Sequence, residues 1–249
     1  MTVRLTIINP NTTRAMTGAI ADAARAAAST ATEIVATQPE NGPASIEGVY
    51  DGALAVPGVI EEVSRAEKAG TDAHVIACFD DTGLDAARAA ATKPVIGIGE
   101  AAYHVASLVA HRFTVITTLS RSVPILERNL AETGLAARCA RVRASDIAVL
   151  ALDDPSSGAR TRISDMIAAA VRDDGADGIV LGCAGMAHLA QELSAAHGVP
   201  VIEGVSAAVR LAEAVVALGL ATSKRGLWAA PLPKPYAGAL AKFAPPAKL

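Results

Sequence analysis

The sequence predicts an α/β fold with two pseudo-symmetric lobes, each a mainly parallel sheet flanked by helices, and an active site in the cleft between them. Two observations lead to this prediction. Short β-rich runs alternate with Ala-rich helical stretches along the chain, and the segment at 69–78 is repeated at 174–183. Alternating strands and helices are typical of βαβ units, which build parallel sheets covered by helices. Ligands of such folds bind beyond the carboxyl ends of the strands.

Eight apolar runs predict the strands. In chain order they are RLTIINP, TEIVATQ, AHVIACF, PVIGIG, FTVITT, ARVRAS, GIVLGC and VPVIEG. Helical patterns lie between them: TRAMTGAIADAARAAAS, GVIEEVSRAEKAG, EAAYHVASLVAH, RTRISDMIAAAVRDDG and SAAVRLAEAVVALG. The Val- and Ile-rich runs and the Ala-rich stretches agree with the local preferences for strand and helix.

An internal repeat supports the two-lobed prediction. AGTDAHVIAC (69–78) aligns with DGADGIVLGC (174–183), and both copies end in a cysteine. KPVIGIGEAAYHVASLVA (93–110) likewise resembles VPVIEGVSAAVRLAEAVVA (199–217). RLTIINPNTT has a counterpart in RFTVITTLS. This pattern indicates a duplication of one α/β unit.

The repeat also predicts where the lobes begin and end. The first lobe is expected over 1–99 and the second over 100–207. The C-terminal segment 208–249 is expected to pack back on the first lobe. Its last part, PLPKPYAGALAKFAPPAKL, is rich in Pro, which favours irregular structure.

Composition narrows the class of protein and its partners. The chain has 249 residues, 51% of them hydrophobic, and a net charge of −3 without a basic stripe. This balance argues against a nucleic-acid partner. No apolar run is long enough for a membrane span, and the start of the chain lacks a cleavable signal pattern. We therefore expect a cytoplasmic protein that acts on a small molecule.

The cysteines at the ends of the repeated segments are the candidate catalytic groups. Two related lobes facing each other would place Cys78 and Cys183 on opposite walls of one cleft. A following helix N-terminus would lower the thiol pKa from about 8.5 towards neutrality. One thiolate and one thiol could then remove a proton from one face of a carbon acid and deliver one to the other. This inverts a stereocentre without a cofactor.

The alternative to this prediction is a structural role for the two cysteines. A single cysteine at a strand end is more often a core residue than a catalyst. The matching positions of two cysteines in a duplicated unit favour catalysis. Cys139 has no counterpart in the first lobe and is interpreted as structural. The five histidines do not fall at metal-ligand spacing, so no metal site is expected.

Polar residues at other strand ends are candidate substrate contacts. Asn11 and Thr12 follow the first strand and could bond the ring of a substrate or cap the next helix. Thr117 and Thr118 hold the equivalent place in the second lobe and could line the cleft or satisfy a turn. Asp80 and Asp81 could accept N–H bonds from a substrate, or one of them could cap the following helix, and a carboxylate here would raise the pKa of the neighbouring cysteine.

Four motifs carry a resemblance to a known family. INPNTT (8–13), VIACFDDTGLDAAR (75–88), VLGCAGM (180–186) and TSKRG (222–226) closely resemble hydantoin racemases of the aspartate/glutamate racemase superfamily. The resemblance implies that Cys78 and Cys183 are the acid/base pair, that no cofactor or metal is used, and that the protein forms a homo-oligomer. The first motif of the family usually reads F-D-D-P-G-L, whereas Thr82 replaces the Pro here.

The residues beside the cysteines bear on the substrate. Amino-acid racemases of this superfamily commonly follow their cysteines with Asn-Thr and Thr-His, which hold an α-carboxylate and an ammonium group. The followers here include Phe79, Asp80, Ala184 and Gly185, a more apolar set that suits a neutral ring. Backbone N–H groups of the turn from Gly182 to Gly185 could hold an enolate oxygen.

The resulting prediction is a racemase of 5-substituted hydantoins that transfers a proton at C5. The first alternative is an allantoin racemase, since allantoin is itself a 5-ureido hydantoin. A second is another superfamily reaction, either amino-acid racemisation or an arylmalonate-type decarboxylation, which needs only one cysteine. The non-enzyme alternative is a small-molecule binding module on the same fold.

Overall fold

The computed structural model describes residues 2–152 and 154–245 and contains two four-stranded parallel sheets. The strands are Val3–Ile8 (β1), Thr32–Thr37 (β2), Ala73–Ile76 (β3), Val95–Gly97 (β4), Phe113–Thr117 (β5), Cys139–Ala144 (β6), Gly178–Gly182 (β7) and Val201–Glu203 (β8). The strand orders are β2-β1-β3-β4 and β6-β5-β7-β8, with every neighbouring pair parallel. The same order in both sheets confirms the predicted α/β fold with two related lobes.

Helices connect the strands in the described ranges. They are Arg14–Ala27 (α1), Val49–Lys68 (α2), Leu84–Ala90 (α3), Ile98–Val109 (α4), Val123–Glu132 (α5), Ala159–Ala169 (α6), Ala190–His197 (α7) and Gly204–Ala217 (α8). A helix was expected after each cysteine, where α3 and α7 follow at a distance of several residues, whereas α5 was not identified from the sequence. Within the described part of the chain, no helix has the length and apolar character needed to cross a membrane.

Helix α2 is longer than its sequence pattern, which began after Pro57. The helix starts at Val49 and continues through this proline. An internal proline removes one backbone hydrogen bond and costs about 3 kcal/mol in an isolated helix. The buried side chains of Ala55, Val59 and Val63 keep the helix on the first sheet across this position.

Helices α4 and α8 pack against each other between the two sheets. A Cβ atom on Gly204 would lie 2.5 Å from the Ile98 carbonyl oxygen, so only glycine permits this close approach. Helix α4 also contacts β7 and β8, whereas α8 contacts β1, β3 and β4. These contacts cross the expected limits of the lobes, and the division into 1–99 and 100–207 stays a prediction.

The chain after α8 contacts helices of the first sheet. The Thr222 hydroxyl donates to the Lys93 carbonyl oxygen at 2.8 Å. The Trp228 indole N–H donates to Asp85 at 2.9 Å, and the Arg88 guanidinium lies 4.7 Å above the Trp228 ring. The packing of the whole segment 208–249 on the first lobe stays a prediction.

Candidate active site

A narrow cavity lies where the carboxyl ends of β1, β3, β5 and β7 face each other. Its volume is about 40 Å³, and both Cys78 and Cys183 line it. The other lining residues are Asn11, Met16, Ile46, Ala77, Phe79, Asp80, Thr117, Thr118, Ser122, Val149, Gly182 and Ala184. They come from both halves of the chain, so the cavity exists only when the two sheets meet.

The two cysteines are brought together by equivalent strands. Every residue of β3 and of β7 is buried, and Cys78 and Cys183 follow these strands, where the sheets end. Cys183 directly precedes a short helical turn at Ala184–Leu189. The repeated apolar segments therefore bring both cysteines to one cavity, and their position on opposite walls stays a prediction.

The surroundings of Cys78 differ from the expectation of a low-pKa thiol. Burial raises the pKa of the Cys78 thiol well above its usual range, and the Asp80 charge raises it further. A turn separates Cys78 from α3, which begins only at Leu84, so this thiol does not lie at a helix N-terminus. The predicted lowering of the Cys78 pKa is wrong, because burial outweighs any such effect, whereas the predicted raising by Asp80 is confirmed. The Thr82 hydroxyl lies 3.3 Å from Cys78 Sγ and favours the thiolate.

Asp80 lines the same cavity, and its carboxyl group is a second buried titratable group beside the Cys78 thiol. Burial raises the pKa of Asp80 to about 6, and the charge of Arg128 partly opposes this effect. The Asn129 side-chain amide donates to the Asp80 carbonyl oxygen at 2.9 Å. Because Asn129 belongs to α5, the loop that carries Cys78 is bonded to the second half of the chain.

The side chain of the neighbouring Asp81 has a structural role at the start of α4. Its carboxylate accepts hydrogen bonds from the backbone N–H groups of Gly99 (2.9 Å) and Glu100 (2.8 Å), at the start of α4. Its φ of 52° lies in the left-handed region, which Asp adopts more readily than most residues. Asp81 therefore joins the loop after Cys78 to a helix that is distant in sequence.

Asn11 lines the cavity and also organises its own loop. Its side-chain oxygen accepts from the Thr13 backbone N–H and from the Asn9 side chain, both at 2.9 Å. Its amide nitrogen donates to Met16 Sδ at 3.0 Å. Helix α1 begins at Arg14, so Asn11 supports the turn before the helix as well as facing the cavity.

Thr117 and Thr118 occupy the equivalent edge of the second sheet. Both line the cavity. The Thr117 hydroxyl donates to the Gly182 carbonyl oxygen at 3.1 Å, which ties β5 to the residue before Cys183. Of the two alternatives from the sequence, cleft lining is observed for both residues, whereas the Thr117 hydroxyl joins two strands and does not satisfy a turn.

An aromatic contact orients Phe79. Its ring meets Tyr103 edge to face at 5.5 Å between centroids, and Tyr103 stacks on Phe113 at 6.2 Å. Phe79 is almost completely buried, so its ring forms one apolar wall of the cavity. On the opposite side, Gly182 and Ala184 flank Cys183 and keep the wall free of bulky side chains.

Thr12 and Gly185 are the predicted contacts that do not line this cavity. Gly185 lies behind Cys183, where an added Cβ would be 3.8 Å from Cys183 Sγ. Thr12 borders a different, more open cavity of about 690 Å³ between α1 and β2. The Thr12 hydroxyl donates to the Pro43 carbonyl oxygen at 3.3 Å. That larger cavity contains neither cysteine, and its arginines, Arg14 and Arg65, are exposed.

Sequence reasoning missed several residues of the cavity. They are Met16, Ile46, Ala77, Ser122 and Val149. Met16 carried a usable signal, since it lies on the apolar face of the first predicted helix near Asn11. Ile46 and Val149 belong to long connections without a periodic pattern. Only the tertiary structure brings these connections over the cavity.

The third cysteine lies outside the cavity, and the described residues contain no group of side chains that could hold a metal ion. Cys139 begins β6, and its thiol donates to the Arg141 carbonyl oxygen at 3.3 Å. Burial raises the pKa of Cys139 to about 11. Among residues 2–152 and 154–245, no three His, Cys, Asp or Glu side chains are grouped closely enough to hold a metal ion.

Known proteins resemble this chain over most of its length. The profile of the Asp/Glu/Hydantoin racemase family matches residues 5–212. The chain is 48% identical over 232 residues to a hydantoin racemase of Rhizobium meliloti, covering 93% of this chain and 96% of the relative. It is 46% identical over 242 residues to a hydantoin racemase of Pseudomonas sp. strain NS671, covering 97% of each.

A solved structure extends the similarity to the whole fold. The allantoin racemase from Klebsiella pneumoniae superposes with a TM-score of 0.95 at 48% identity, covering 98% of this chain and all of that one. Sequence and fold therefore agree over both sheets and both cysteine-bearing strands. The chain belongs to the Asp/Glu/hydantoin racemase family.

Proposed function

We propose that this protein is a cofactor-independent racemase of 5-substituted hydantoins that uses Cys78 and Cys183 as its acid/base pair. Its family and its relatives make the chain an isomerase of the racemase type. One observation supports the assignment of the two residues: both thiols, from equivalent strands of two repeated sheets, line one cavity. A two-base reaction needs this arrangement, with one group for each face of the substrate.

The proposed reaction moves one proton at a time. The C5–H of a hydantoin is acidified by the adjacent ring carbonyl. The thiolate of one cysteine removes this proton and becomes a thiol, which leaves a planar enolate. The thiol of the other cysteine protonates C5 from the opposite face and becomes a thiolate. The two residues have then exchanged roles and are ready for the opposite enantiomer.

The cavity lining suits a neutral ring. Phe79 and Ala184 provide apolar surface beside the cysteines, whereas Asn11, Thr117 and Thr118 provide polar groups for ring carbonyl and N–H groups. We expect backbone N–H groups of the turn 182–185 to stabilise the enolate oxygen, as oxyanion donors do in acyl transfer. Within the lining set, Asp80 is the carboxylate and no Lys or Arg is present, which disfavours an α-carboxylate substrate.

Allantoin is the second candidate substrate. The Asp80 carboxylate, exposed to the cavity beside Cys78, is an acceptor for the N–H groups of a ureido substituent. An aryl or alkyl substituent offers no such donor. The solved allantoin racemase with the same fold is in line with this candidate. A decarboxylase is disfavoured because it would need only one of the two thiols.

Cellular location and assembly form a further part of the proposal. The sequence has three cysteines, an odd count without a C-x-x-C motif, which favours the reducing cytoplasm. Large apolar side chains after α8 are exposed, including Leu227 and Leu232, and a second copy could cover them in a homo-oligomer. Light scattering coupled to size-exclusion chromatography measures the assembly directly. A strictly monomeric species at micromolar concentration would contradict the homo-oligomer.

The decisive test follows single enantiomers in D₂O. L-5-benzylhydantoin and S-allantoin are incubated in parallel, while optical rotation and the C5 proton signal are recorded. We expect loss of rotation together with deuterium uptake at C5 for at least one substrate. Loss with benzylhydantoin supports the main proposal, and loss with allantoin alone assigns the ureido substrate. No decay and no exchange with either would overturn the hydantoin proposal and favour the binding module.

A further inference from the structure

The Thr82 hydroxyl is placed directly against the Cys78 thiol. The Thr82 Oγ1 and Cys78 Sγ atoms are 3.3 Å apart, within hydrogen-bonding distance for sulfur. The Thr82 residue is 7% exposed, so bulk water competes little for this contact. The side chain does not itself line the cavity, and any effect on the reaction must act through Cys78.

The backbone holds Thr82 in this place. The Asp81 N–H donates to the Cys78 carbonyl oxygen at 3.0 Å, which closes a turn and brings residue 82 back beside residue 78. The carboxylate of Asp81 is bonded to the start of α4, so the turn is anchored outside its own segment. Helix α2 covers the other side, where an added Cβ on Gly52 would lie 3.8 Å from the Thr82 hydroxyl.

The other surroundings of Cys78 disfavour its ionisation. Burial is the largest effect, followed by the negative charge of Asp80, and Cys183 adds a smaller effect of the same sign. Two hydrogen bonds act in the opposite direction, one from the Thr82 hydroxyl and one from the Asp80 backbone N–H. A thiolate that removes a proton from C5 therefore depends on these donors.

We propose that Thr82 is a positioning residue whose hydroxyl donates a hydrogen bond to the Cys78 thiolate and stabilises that form of the residue. The inference rests on the proposed function, because Cys78 must ionise to act as a base. When Cys78 is protonated, the same pair can reverse direction, with the thiol donating to the hydroxyl oxygen. The contact is thus kept through both halves of the reaction and holds Sγ in one orientation.

A comparison of Thr82→Val with Thr82→Ser tests this role. Valine keeps the shape of threonine and removes the hydroxyl, whereas serine keeps the hydroxyl. The readout is the rate of iodoacetamide alkylation at pH 8.5, followed by mass spectrometry for the peptides containing Cys78, Cys183 and Cys139. Only thiolates react, so the rate below the pKa follows the thiolate fraction. No substrate is needed, so the result is independent of the proposed racemisation.

We expect Thr82→Val to slow alkylation of Cys78 about three- to tenfold, the net effect of one intramolecular hydrogen bond. The Cys139 rate should stay within about twofold, which reports an intact fold, and Thr82→Ser should keep the parent Cys78 rate. The rising limb of the racemisation pH profile should move to higher pH in Thr82→Val and not in Thr82→Ser.

Two results would overturn the inference. One is a Cys78 alkylation rate in Thr82→Val within about twofold of the parent. The other is an equal slowing in the serine variant. If the valine variant does not fold, Thr82→Ala gives the same comparison with less steric demand. If the three proteins show the expected alkylation rates but the parent shows no C5 exchange, the proposed function is rejected while the Thr82 contact is supported.

Discussion

The carboxylate of Glu47 accepts a hydrogen bond from the backbone N–H of Val149 at 3.1 Å, and this contact joins the two halves of the chain across the mouth of the cavity. The adjacent Ile46 and Val149 itself both line the cavity. The cavity that they line has a volume of about 40 Å³. We expect a hydantoin ring to enter more readily when these two connections separate.

Removing this contact should open the cavity more often. Because one net hydrogen bond contributes about 1 kcal/mol, we expect Glu47→Ala to speed iodoacetamide alkylation of Cys183 about fivefold. Glu47→Gln keeps an acceptor oxygen and serves as the matched control. Alkylation time courses followed by peptide mass spectrometry measure both variants. Equal rates in the two variants would show that Glu47 does not hold the cavity closed.

Each cysteine should be indispensable for racemisation. A serine hydroxyl is far less acidic than a thiol, so Cys78→Ser and Cys183→Ser should each reduce kcat at least about 100-fold, as general acid/base replacements do. Polarimetry with the preferred enantiomer measures the loss, and thermal unfolding verifies the fold. Cys139→Ser is the matched control and should keep its activity, since Cys139 lies outside the cavity. Near-full activity in either of the first two variants would disprove the two-base assignment.

Asp80 should make stability depend on pH. Its pKa is raised to about 6 in the folded protein by burial, above its ordinary value of 3.8. Between these values the folded state keeps a proton that the unfolded state has lost. The contribution of this group to stability is therefore complete below about pH 4 and is lost as the pH rises through 6.

The variant Asp80→Asn removes this titration. We expect its free energy of unfolding, relative to the parent, to be more favourable at pH 7 than at pH 4 by at most about 3 kcal/mol. Urea unfolding at the two pH values measures the difference. The Asn129 bond to the Asp80 main-chain oxygen is retained, so packing changes are limited. A difference that does not change with pH would mean that Asp80 is not the buried acid described here.

Asp81 should matter for stability more than for proton transfer. Asp81→Ala leaves the Gly99 and Glu100 N–H groups without their acceptor, and loss of such a cap costs about 0.5–2 kcal/mol. Asp81→Asn keeps one acceptor oxygen and tolerates the positive φ, so it should lose less. Chemical denaturation compares the three proteins. If alanine and asparagine destabilise equally, capping of α4 is not the function of this side chain.

Trp228 provides a test of the expected docking of the C-terminal segment. Trp228→Ala removes the bond to Asp85 and the ring beneath Arg88. We expect the segment after α8 to be cleaved several-fold faster in limited proteolysis, because among the described residues only a few hydrogen bonds, from Thr222, Lys224 and Lys242, remain to hold it. Leu232→Ala, at an exposed position in the same segment, is the control and should be cleaved at the parent rate. Unchanged cleavage of the tryptophan variant would count against docking through this contact.

Much of the architecture followed from local patterns. The apolar runs predicted all eight strands, because buried parallel strands need continuous Val- and Ile-rich segments. The repeat around Cys78 and Cys183 predicted that two equivalent strands end in a thiol. The helix over Val49–Lys68 was predicted too short, since Pro57 reads as a break when tertiary contacts are unknown.

The electrostatics of the site followed from the sequence only in part, since the effect of Asp80 on Cys78 was predicted and the effect of burial was not. A cysteine after a strand suggested a helix N-terminus and a lowered pKa, but the pKa depends on how deeply the fold buries the thiol and which charges approach it. At Cys78, burial and Asp80 dominate. The Thr82 contact was not foreseen either, because it depends on a turn that Asp81 anchors to the distant helix α4.

Whether a feature could be predicted depends on how far apart in sequence the residues that produce it lie. Local sequence patterns determine the strand positions, the paired cysteines and the family motifs, so these features could be predicted from the sequence. Three features arise from contacts between segments far apart in sequence: the packing of α4 and α8 between the sheets, the lining of the cavity by Ile46 and Val149, and the raised thiol pKa of Cys78. Such contacts leave no local period in the residues, so only the packed tertiary structure decided them.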